Sequence, residues 1–196
     1  MKRILVTATI VLITCVGAKA NAFHLNPALK GSPLNMPTYG ETTIPIGHHK
    51  YCLKYSDRCS LPLGDSRIRV TSELWNKIVR VNERINQEIK PLTDREIYGV
   101  DERWEYPKQV GDCEDYALLK RKQLNYAGIP LGALLMTVAR DADGGGHAVL
   151  TVVTDRGDFI LDNVENRVLP WQEAELTYLK RQSSRDSRRW ESLQPN

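Results

Sequence analysis

Three residues that stand far apart in the sequence have the side chains of a thiol-based catalytic centre: Cys113, His147 and Asp162. A histidine can accept the proton of a cysteine thiol, and an aspartate can fix the tautomer of that histidine and stabilise its imidazolium form. The alternative is a small buried cysteine, a histidine satisfied within a strand and an aspartate that forms a turn. The elements that carry these residues decide between the two interpretations.

Cys113 stands at the start of a predicted helix. Residues 111–124 read GDCEDYALLKRKQL, with acids first and bases last, which is the order that suits a helix dipole. Asp112 is a plausible N-cap, and Gly128 and Pro130 end the helix. The unpaired N–H groups and the dipole at a helix N-terminus stabilise a thiolate, so this position favours a reactive cysteine.

The other two residues fall in a predicted β-hairpin. His147 begins a strand over residues 147–154, and Asp162 lies near the end of the return strand, residues 159–163. Three loop centres between residues 154 and 157 fit the pattern. A loop centred between residues 154 and 155 places His147 and Asp162 directly opposite each other. A centre one residue later makes them diagonal neighbours on the same face, and a centre between residues 156 and 157 separates them by one more pair on that face. The sequence leaves this register open.

Negative charge crowds Cys113. Asp112, Glu114 and Asp115 flank it, and like charges raise the pKa of a thiol. A cation would relieve the repulsion, and calcium prefers hard carboxylate oxygens. Calcium held by Asp112 and Glu114 would also fix the start of the helix. The alternative is that these acids only cap free N–H groups.

The remaining patterns predict helices followed by an antiparallel sheet, which indicates an α+β domain. We expect loops over 23–70 and 92–111, helices from 71 or 72 to about 90 and over 171–181, and a strand over 131–138. The mature chain then divides into a loop-rich N-terminal segment, residues 23–70, and a catalytic core, residues 71–196, which together form one domain.

The N-terminus predicts an export signal. Lys2 and Arg3 precede an uncharged, mainly apolar stretch that ends at Gly17, and small-residue cleavage patterns follow it. We expect residues 1–22 to be a signal peptide, cleaved after residue 20 or 22, with a periplasmic mature protein. An N-terminal anchor helix and a lipidated Cys15 are the alternatives. No later segment is long and apolar enough to span a membrane.

The composition and charge of the chain argue against nucleic-acid binding. The chain is 41% hydrophobic and 26% charged, which is ordinary for a soluble globular protein. Without the signal peptide, 24 basic and 24 acidic residues remain. The bases concentrate in a tail from Lys180 onward, so the rest of the mature chain is slightly acidic and unlike a nucleic-acid binder. We expect the tail to be a solvated helix, with a partner contact as the alternative.

The cysteines of the mature chain have two different roles. Cys52 and Cys59 stand close together, and an exported chain lives where disulfides persist, so we expect them to be paired. A zinc site that also uses His48 and His49 is the alternative. Pairing leaves Cys113 as an odd thiol, which in a secreted protein is a candidate for reactivity.

Several motifs together resemble the bacterial transglutaminase-like cysteine proteinases, the family of the LapG-type periplasmic proteases that cleave large biofilm adhesins. The resemblance covers about residues 45–170. The motifs that carry it are GDCEDYALLKRKQL, GGGHAVLTVV, FILDN, YCLKYSDRC and YGVDERWEYP. The resemblance implies a papain- and transglutaminase-like core, in which a helix bearing the cysteine packs on an antiparallel sheet bearing the histidine and aspartate.

The resemblance also assigns roles. It implies that Cys113 is the nucleophile, His147 the base and Asp162 the third member, and that calcium binds Asp112 and Glu114. The implied partners are a protein substrate, such as a large surface adhesin, and an inner-membrane receptor that responds to a cyclic dinucleotide.

We therefore expect acyl transfer from a peptide carbonyl to Cys113, followed by hydrolysis. The oxyanion would be held by the Cys113 backbone N–H and one further donor, either Trp104, Gln109 or another backbone N–H. The alternatives are transfer of the acyl group to an amine and a non-catalytic calcium-binding module. A weaker one is adhesion through the Arg-Gly-Asp tripeptide at 156–158.

Overall fold

A computed structural model describes residues 34–195, so the predicted signal peptide and Cys15 lie outside the described part of the chain. The helices are α1 (Ile46–Lys54), α2 (Ser72–Glu88), α3 (Asp94–Tyr98) and α4 (Cys113–Tyr126). The strands are β1 (Glu41–Thr42), β2 (Lys90–Pro91), β3 (Val110–Gly111), β4 (Leu134–Arg140), β5 (Gly146–Thr154), β6 (Gly157–Leu161), β7 (Leu169–Pro170), β8 (Thr177–Gln182) and β9 (Trp190–Ser192). None of the described helices has both the length and the apolar character that crossing a membrane requires.

The main sheet has seven strands in the order β1-β9-β8-β4-β5-β6-β7, and every neighbouring pair is antiparallel. Helix α4 packs on β4 and β5, and α2 packs on α4. Strand β5 is buried on both faces, because Leu150 joins the core under the helices while Val149 joins a second cluster on the opposite face. The predicted α+β fold, a cysteine-bearing helix on an antiparallel sheet, is confirmed.

Helix α2 follows the prediction. The side chain of Thr71 caps it by accepting a hydrogen bond from the Leu74 N–H at 3.2 Å. Trp75, Ile78 and Ile85 recur at helical spacing and are buried. This apolar stripe packs the helix against the core, so local pattern and tertiary structure agree.

The helix predicted over residues 171–181 is wrong. The chain there turns and then forms β8, which pairs with β4 on one side and with β9 on the other. Tyr178 and Gln182 are buried, which a strand in mid-sheet requires and a solvated helix does not. Pairing with two neighbours outweighs the helix propensity of this segment.

The helix predicted for the basic tail is also wrong, because the chain from residue 180 onward contains the end of β8 and then β9. Arg185, Arg188 and Arg189 are nevertheless exposed, as expected of a solvated tail. Arg181 forms an ion pair with Asp158 at 2.8 Å, and Arg189 forms one with Glu41 at 2.8 Å. Asp158 is only 1% exposed, and it also accepts hydrogen bonds from the Asn35 side chain and the Met36 N–H. A carboxylate that is enclosed in this way is not presented for adhesion.

Two short helices interrupt segments that were predicted as loops. Helix α1 lacks a strong apolar period, so its sequence gives little helical signal. Helix α3 has a capping box, in which Thr93 and Glu96 bond each other's backbone N–H groups. A capping box indicates the start of a helix, but the polar sequence around it favoured the interpretation as a loop.

The predicted disulfide between Cys52 and Cys59 is present. It fastens α1 to the following 3₁₀ turn, and because both sulfurs are used, the zinc alternative is wrong. Near it, His48 is buried among Trp104 and Trp190, with ring centroids 5.2 and 5.3 Å away. Burial lowers the pKa of His48 to about 3, so it is a neutral core residue.

Candidate active site

Cys113 is the first residue of α4, and Asp112 is its N-cap residue. Because α4 packs on β5, the thiol reaches this strand, and the Ala148 N–H lies 3.3 Å from its Sγ. The Glu114 carboxylate oxygen Oε2 also contacts the sulfur, at 3.2 Å. Burial, followed by the negative charge of Glu114, raises the pKa of the Cys113 thiol well above its usual range.

His147 and Asp162 are brought together by the β5–β6 hairpin. Their Nε2 and Oδ1 atoms are 2.9 Å apart, and both side chains are 9% exposed. Leu150 pairs with Leu161 and Thr154 pairs with Gly157, so the turn is centred between residues 155 and 156. His147 and Asp162 are therefore diagonal neighbours, which is the middle option of the three that the sequence left open.

The Cys113 thiol lies next to the part of β5 that carries the imidazole, because the N–H group that contacts Sγ belongs to Ala148, the residue after His147. Because Asp162 engages Nε2, the remaining nitrogen for a thiol proton is Nδ1. Within residues 34–195 no direct hydrogen bond joins Cys113 to His147. Catalytic hydrogen bonds are often loose until a substrate is bound.

The loop that carries Asp162 is held by two asparagines of α2, which sequence reasoning missed. Asn86 donates to the Asp162 carbonyl at 2.9 Å, and Asn82 donates to the Glu165 and Asn166 carbonyls at 3.1 and 2.9 Å. Asn82 is fully buried within the apolar stripe of its helix. A polar residue at a core-facing position was the available signal, because a buried amide needs partners.

Three carboxylates gather beside the thiol: Asp94, Asp112 and Glu114. One oxygen from each lies within 4.8 Å of the others. Asp94 belongs to α3, so the segment predicted as a loop supplies a residue that the sequence did not single out. No local signal marked it, because it lies 18 positions before Asp112 and joins the cluster only through the fold.

Two buried oxygens of this cluster, Oδ1 of Asp94 and Oδ1 of Asp112, have no hydrogen-bond partner among the described residues. Asp112 occupies the N-cap position, but its side chain caps nothing in α4 and accepts from the Asp94 N–H at 3.2 Å. Burial raises the pKa of Asp94 to about 6 and, with the charge of Asp112, that of Glu114 to about 9. Concentrated, unsatisfied carboxylate oxygens are what a divalent cation would compensate.

The third flanking acid, Asp115, has a different role. It is fully buried, and its Oδ1 accepts from the Glu105 N–H at 2.7 Å, which fixes the loop before α4. Gly111 allows this close packing, since a Cβ there would lie 2.9 Å from the Asp115 Cβ. Burial raises the pKa of Asp115 to about 8.

The structure leaves fewer candidate hydrogen-bond donors for the oxyanion than the sequence does. The Trp104 indole N–H donates to Glu102 at 2.7 Å and is therefore already used. Gln109 is an exposed loop residue. The first N–H groups of α4 have no acceptors within the helix, which makes the helix N-terminus the natural place for a developing negative charge.

A cavity of about 470 Å³ opens beside the imidazole. His147 and Asp162 form part of its wall, and most of the rest comes from the β4–β5 loop, the loop after β6 and the turn before β8, with Ile160 of β6 and Leu169 of β7. Val164, which also lines the cavity, is 78% exposed. The cavity therefore borders the imidazole, whereas Cys113 is not among its lining residues.

A cysteine at a helix N-terminus, packed against a strand that carries a histidine paired with an aspartate, defines the papain- and transglutaminase-like class of thiol enzymes. The sequence model of one such family, described as bacterial transglutaminase-like cysteine proteinase, matches residues 38–196. The chain belongs to this family, and the resemblance seen in the sequence is confirmed.

Solved structures of LapG from Legionella pneumophila are similar to the chain. One is 29% identical and covers 55% of this chain and 64% of that one, less than two thirds of its length, with a TM-score of 0.49. A calcium-bound one is 26% identical and covers 63% of this chain and 71% of that one, with a TM-score of 0.53. An EGTA-treated one is 29% identical and covers 55% and 62%, with a TM-score of 0.49. The search of the curated proteins found no match.

Proposed function

We propose that the protein is an exported cysteine peptidase in which Cys113 is the nucleophile, His147 the general base and Asp162 the residue that orients the imidazole. The observation that carries this proposal is the 2.9 Å contact between His147 and Asp162, made where the next residue of β5 touches the Cys113 sulfur. Membership of the cysteine proteinase family supports it.

The chemistry follows from these positions. Nδ1 of His147 takes the thiol proton, and the Cys113 thiolate attacks a peptide carbonyl carbon. Backbone N–H groups at the start of α4 stabilise the tetrahedral oxyanion. The imidazolium then gives its proton to the leaving amine. Water, activated by the same imidazole, hydrolyses the thioester and regenerates the thiol.

Calcium fits the acidic cluster, and we assign it to Asp94, Asp112 and Glu114. Oxygens within 4.8 Å of one another suit a cation with oxygen ligands at about 2.3–2.6 Å. The two unpartnered buried oxygens support this fit. So does the fact that a similar solved structure is calcium-bound. A bound cation would supply the positive charge that offsets the acids around the thiol.

Family resemblance supports the remaining assignments. A large cell-surface adhesin is the proposed substrate, and an inner-membrane receptor is the proposed regulator. The basic and apolar residues before position 22 support export to the periplasm. These assignments concern the setting of the reaction, and the chemistry at Cys113 does not depend on them.

A proteome-derived peptide library tests the proposed activity. We expect the mature chain, with calcium, to generate new peptide N-termini, which mass spectrometry identifies, and the C113A variant to generate none. A fluorescent primary amine included in the reaction distinguishes the alternatives. Its incorporation in place of hydrolysis would establish transamidation, and an inert but folded wild type would favour a non-catalytic module.

A further inference from the structure

The cavity beside His147 is strongly acidic. Of the described residues that line it, six are acidic, and Arg167 is the one base apart from the histidine. Two of the acids are already paired, because Asp162 contacts His147 and Glu165 forms an ion pair with Arg167 at 2.7 Å. The lining acids that form no ion pair within residues 34–195 are Asp141, Asp143, Glu173 and Glu175.

Glu173 has the least satisfied carboxylate of these four acids. Its Oε1 is shielded from solvent and has no hydrogen-bond partner in the described part of the chain. Asp141, by contrast, accepts hydrogen bonds from two N–H groups of its own loop. Arg167 acts on Glu173 electrostatically, but its guanidinium is bonded to Glu165. A shielded carboxylate oxygen without a donor costs free energy, which a cationic donor that enters the cavity would recover.

The spacing of the four acids suits an extended organic cation and not a metal ion. Among the described residues, no group of three or more ligand atoms that converge within 4.8 Å includes any of them. Two come from the β4–β5 loop and two from the turn before β8. The volume of about 470 Å³ lies within the range of ligand sites, about 300–1,000 Å³. A lysine or arginine side chain fits this description, because its apolar stem can pack on lining residues such as Leu176 while its charge meets the carboxylates.

The place of the cavity indicates which part of a substrate it would hold. It borders the imidazole of His147, and Cys113 does not line it. In the proposed reaction the acyl part of the substrate becomes bonded to the Cys113 sulfur, whereas the leaving amine receives its proton from the imidazole. The chain that follows the scissile bond is attached to that amine. The cavity therefore lies where the leaving segment of a substrate would be.

We propose that this acidic cavity is a specificity site that selects substrates with a lysine or arginine shortly after the scissile bond, and that Glu173 is its main determinant. The inference rests on the proposed function, because it names the preferred substrate of the same site. A cation among these carboxylates makes charge-assisted hydrogen bonds that a neutral side chain cannot make. Replacement of Glu173 by glutamine keeps the shape of the wall and removes its charge.

Binding is measured first and without turnover, by NMR on the C113A variant with calcium. The probe is the peptide Ala-Lys-Ala-Ala-amide, and Ala-Gln-Ala-Ala-amide is its neutral counterpart; both have the free amino terminus of a leaving product. We expect the lysine peptide to shift the amide signals of residues 141–143 and 173–176 and to bind at least about five-fold more tightly than the glutamine peptide.

Addition of E173Q to C113A should reduce this preference to below about two-fold, because the main charge is gone. Addition of D65N, which removes an exposed acid that does not line the cavity, should leave the preference unchanged. Absent or equal binding of the two peptides, or a preference that E173Q does not alter, would overturn the inference.

The second measurement uses a peptide library prepared with a glutamate-specific protease, so that lysine and arginine remain internal. Each new N-terminus begins with the residues that follow the scissile bond. We expect lysine and arginine to be enriched about three-fold over the library among the first few of these residues for wild type and D65N, and E173Q/E175Q to lose the enrichment. Cleavage without enrichment would contradict the specificity site and leave the peptidase proposal standing. Selective binding of the lysine peptide without any cleavage would instead contradict the peptidase proposal and support the cation selectivity of the cavity.

Discussion

At the scale of single residues, the site is defined by charges placed where burial makes them costly. Cys113 contacts both the Ala148 N–H and the Glu114 carboxylate, and its thiol is harder to ionise than an exposed one. Thiolate formation therefore depends on compensation, from a proton acceptor at His147 and from positive charge near the acids. Each of these dependences can be tested by changing one side chain.

Asp94 gives the sharpest test of the calcium assignment. We expect D94N to weaken calcium binding more than ten-fold, because a neutral amide replaces one of three clustered carboxylates. Isothermal titration calorimetry of the mature protein measures the affinity directly. D143N, which removes an acid outside the cluster, is the matched control and should bind as wild type does. Equal affinities for D94N and wild type would remove Asp94 from the site.

Lys120 predicts a stability change with a definite dependence on pH. Its pKa in the folded protein, about 7, lies below the ordinary value of 10.5. The cost of burying the ammonium is thus fully present below pH 7 and is lost as pH rises toward 10.5.

K120M should accordingly unfold at higher urea than wild type at pH 6, with about 1–4 kcal/mol more stability. That advantage should shrink as pH increases. Urea titrations of both proteins at several pH values provide the comparison. A difference that is constant or grows with pH would be inconsistent with a buried charged lysine.

At the scale of elements, the site is held by three supports: the start of α4, the β5–β6 hairpin and the asparagine contacts from α2. The asparagine contacts from α2 can be tested by substitution. N86A should release the loop after β6, because the Asp162 carbonyl loses its donor. We expect faster amide hydrogen exchange over residues 162–166 at a stability cost of about 1 kcal/mol.

Asn76, on the same helix, supplies the matched control for this experiment, because it has no part in holding the loop. N76A should leave the exchange of residues 162–166 unchanged. If N86A leaves exchange in this loop as slow as in wild type, the loop is held by other contacts.

The elements that could be predicted are those whose signals are local. Helix α4 has its charge order and stop residues, and the β5–β6 hairpin has two apolar, β-branched runs around a glycine turn, so both are predicted to within a few residues. Helix α1 is stabilised by a disulfide and an aromatic cluster, and β8 by pairing on both sides. Those causes are tertiary and leave no local pattern, which is why the same reasoning missed α1 and took β8 for a helix.

At the scale of the whole molecule, distant segments complete the domain. Strand β1 pairs with β9, and α1 packs its aromatic side chains against Trp104 and Trp190. The loop before α4 is tied to α1 through Glu105, which accepts from Lys54 and Tyr55. The N-terminal segment thus supports the loop that precedes the nucleophile, and the Arg103 N–H of this loop donates to the Asp94 carboxylate.

The Cys52–Cys59 disulfide is expected to stabilise this arrangement modestly. It closes a loop with a sequence separation of seven residues, so chain entropy predicts a loss of about 2.5 kcal/mol when it is removed. Urea unfolding of wild type against the double variant C52S/C59S measures the loss. An unchanged unfolding midpoint would show that the aromatic cluster alone holds α1.

The central claim is that His147 activates Cys113, and the rate at which iodoacetamide labels the thiol tests it without any substrate. Among the described cysteines only Cys113 is free, so intact mass reports its modification directly. At pH 6.5, with calcium, we expect wild type and the control H49A, which lacks an exposed histidine of α1, to label about ten-fold faster than H147A. Equal rates in H147A and wild type, with both proteins folded, would contradict the account.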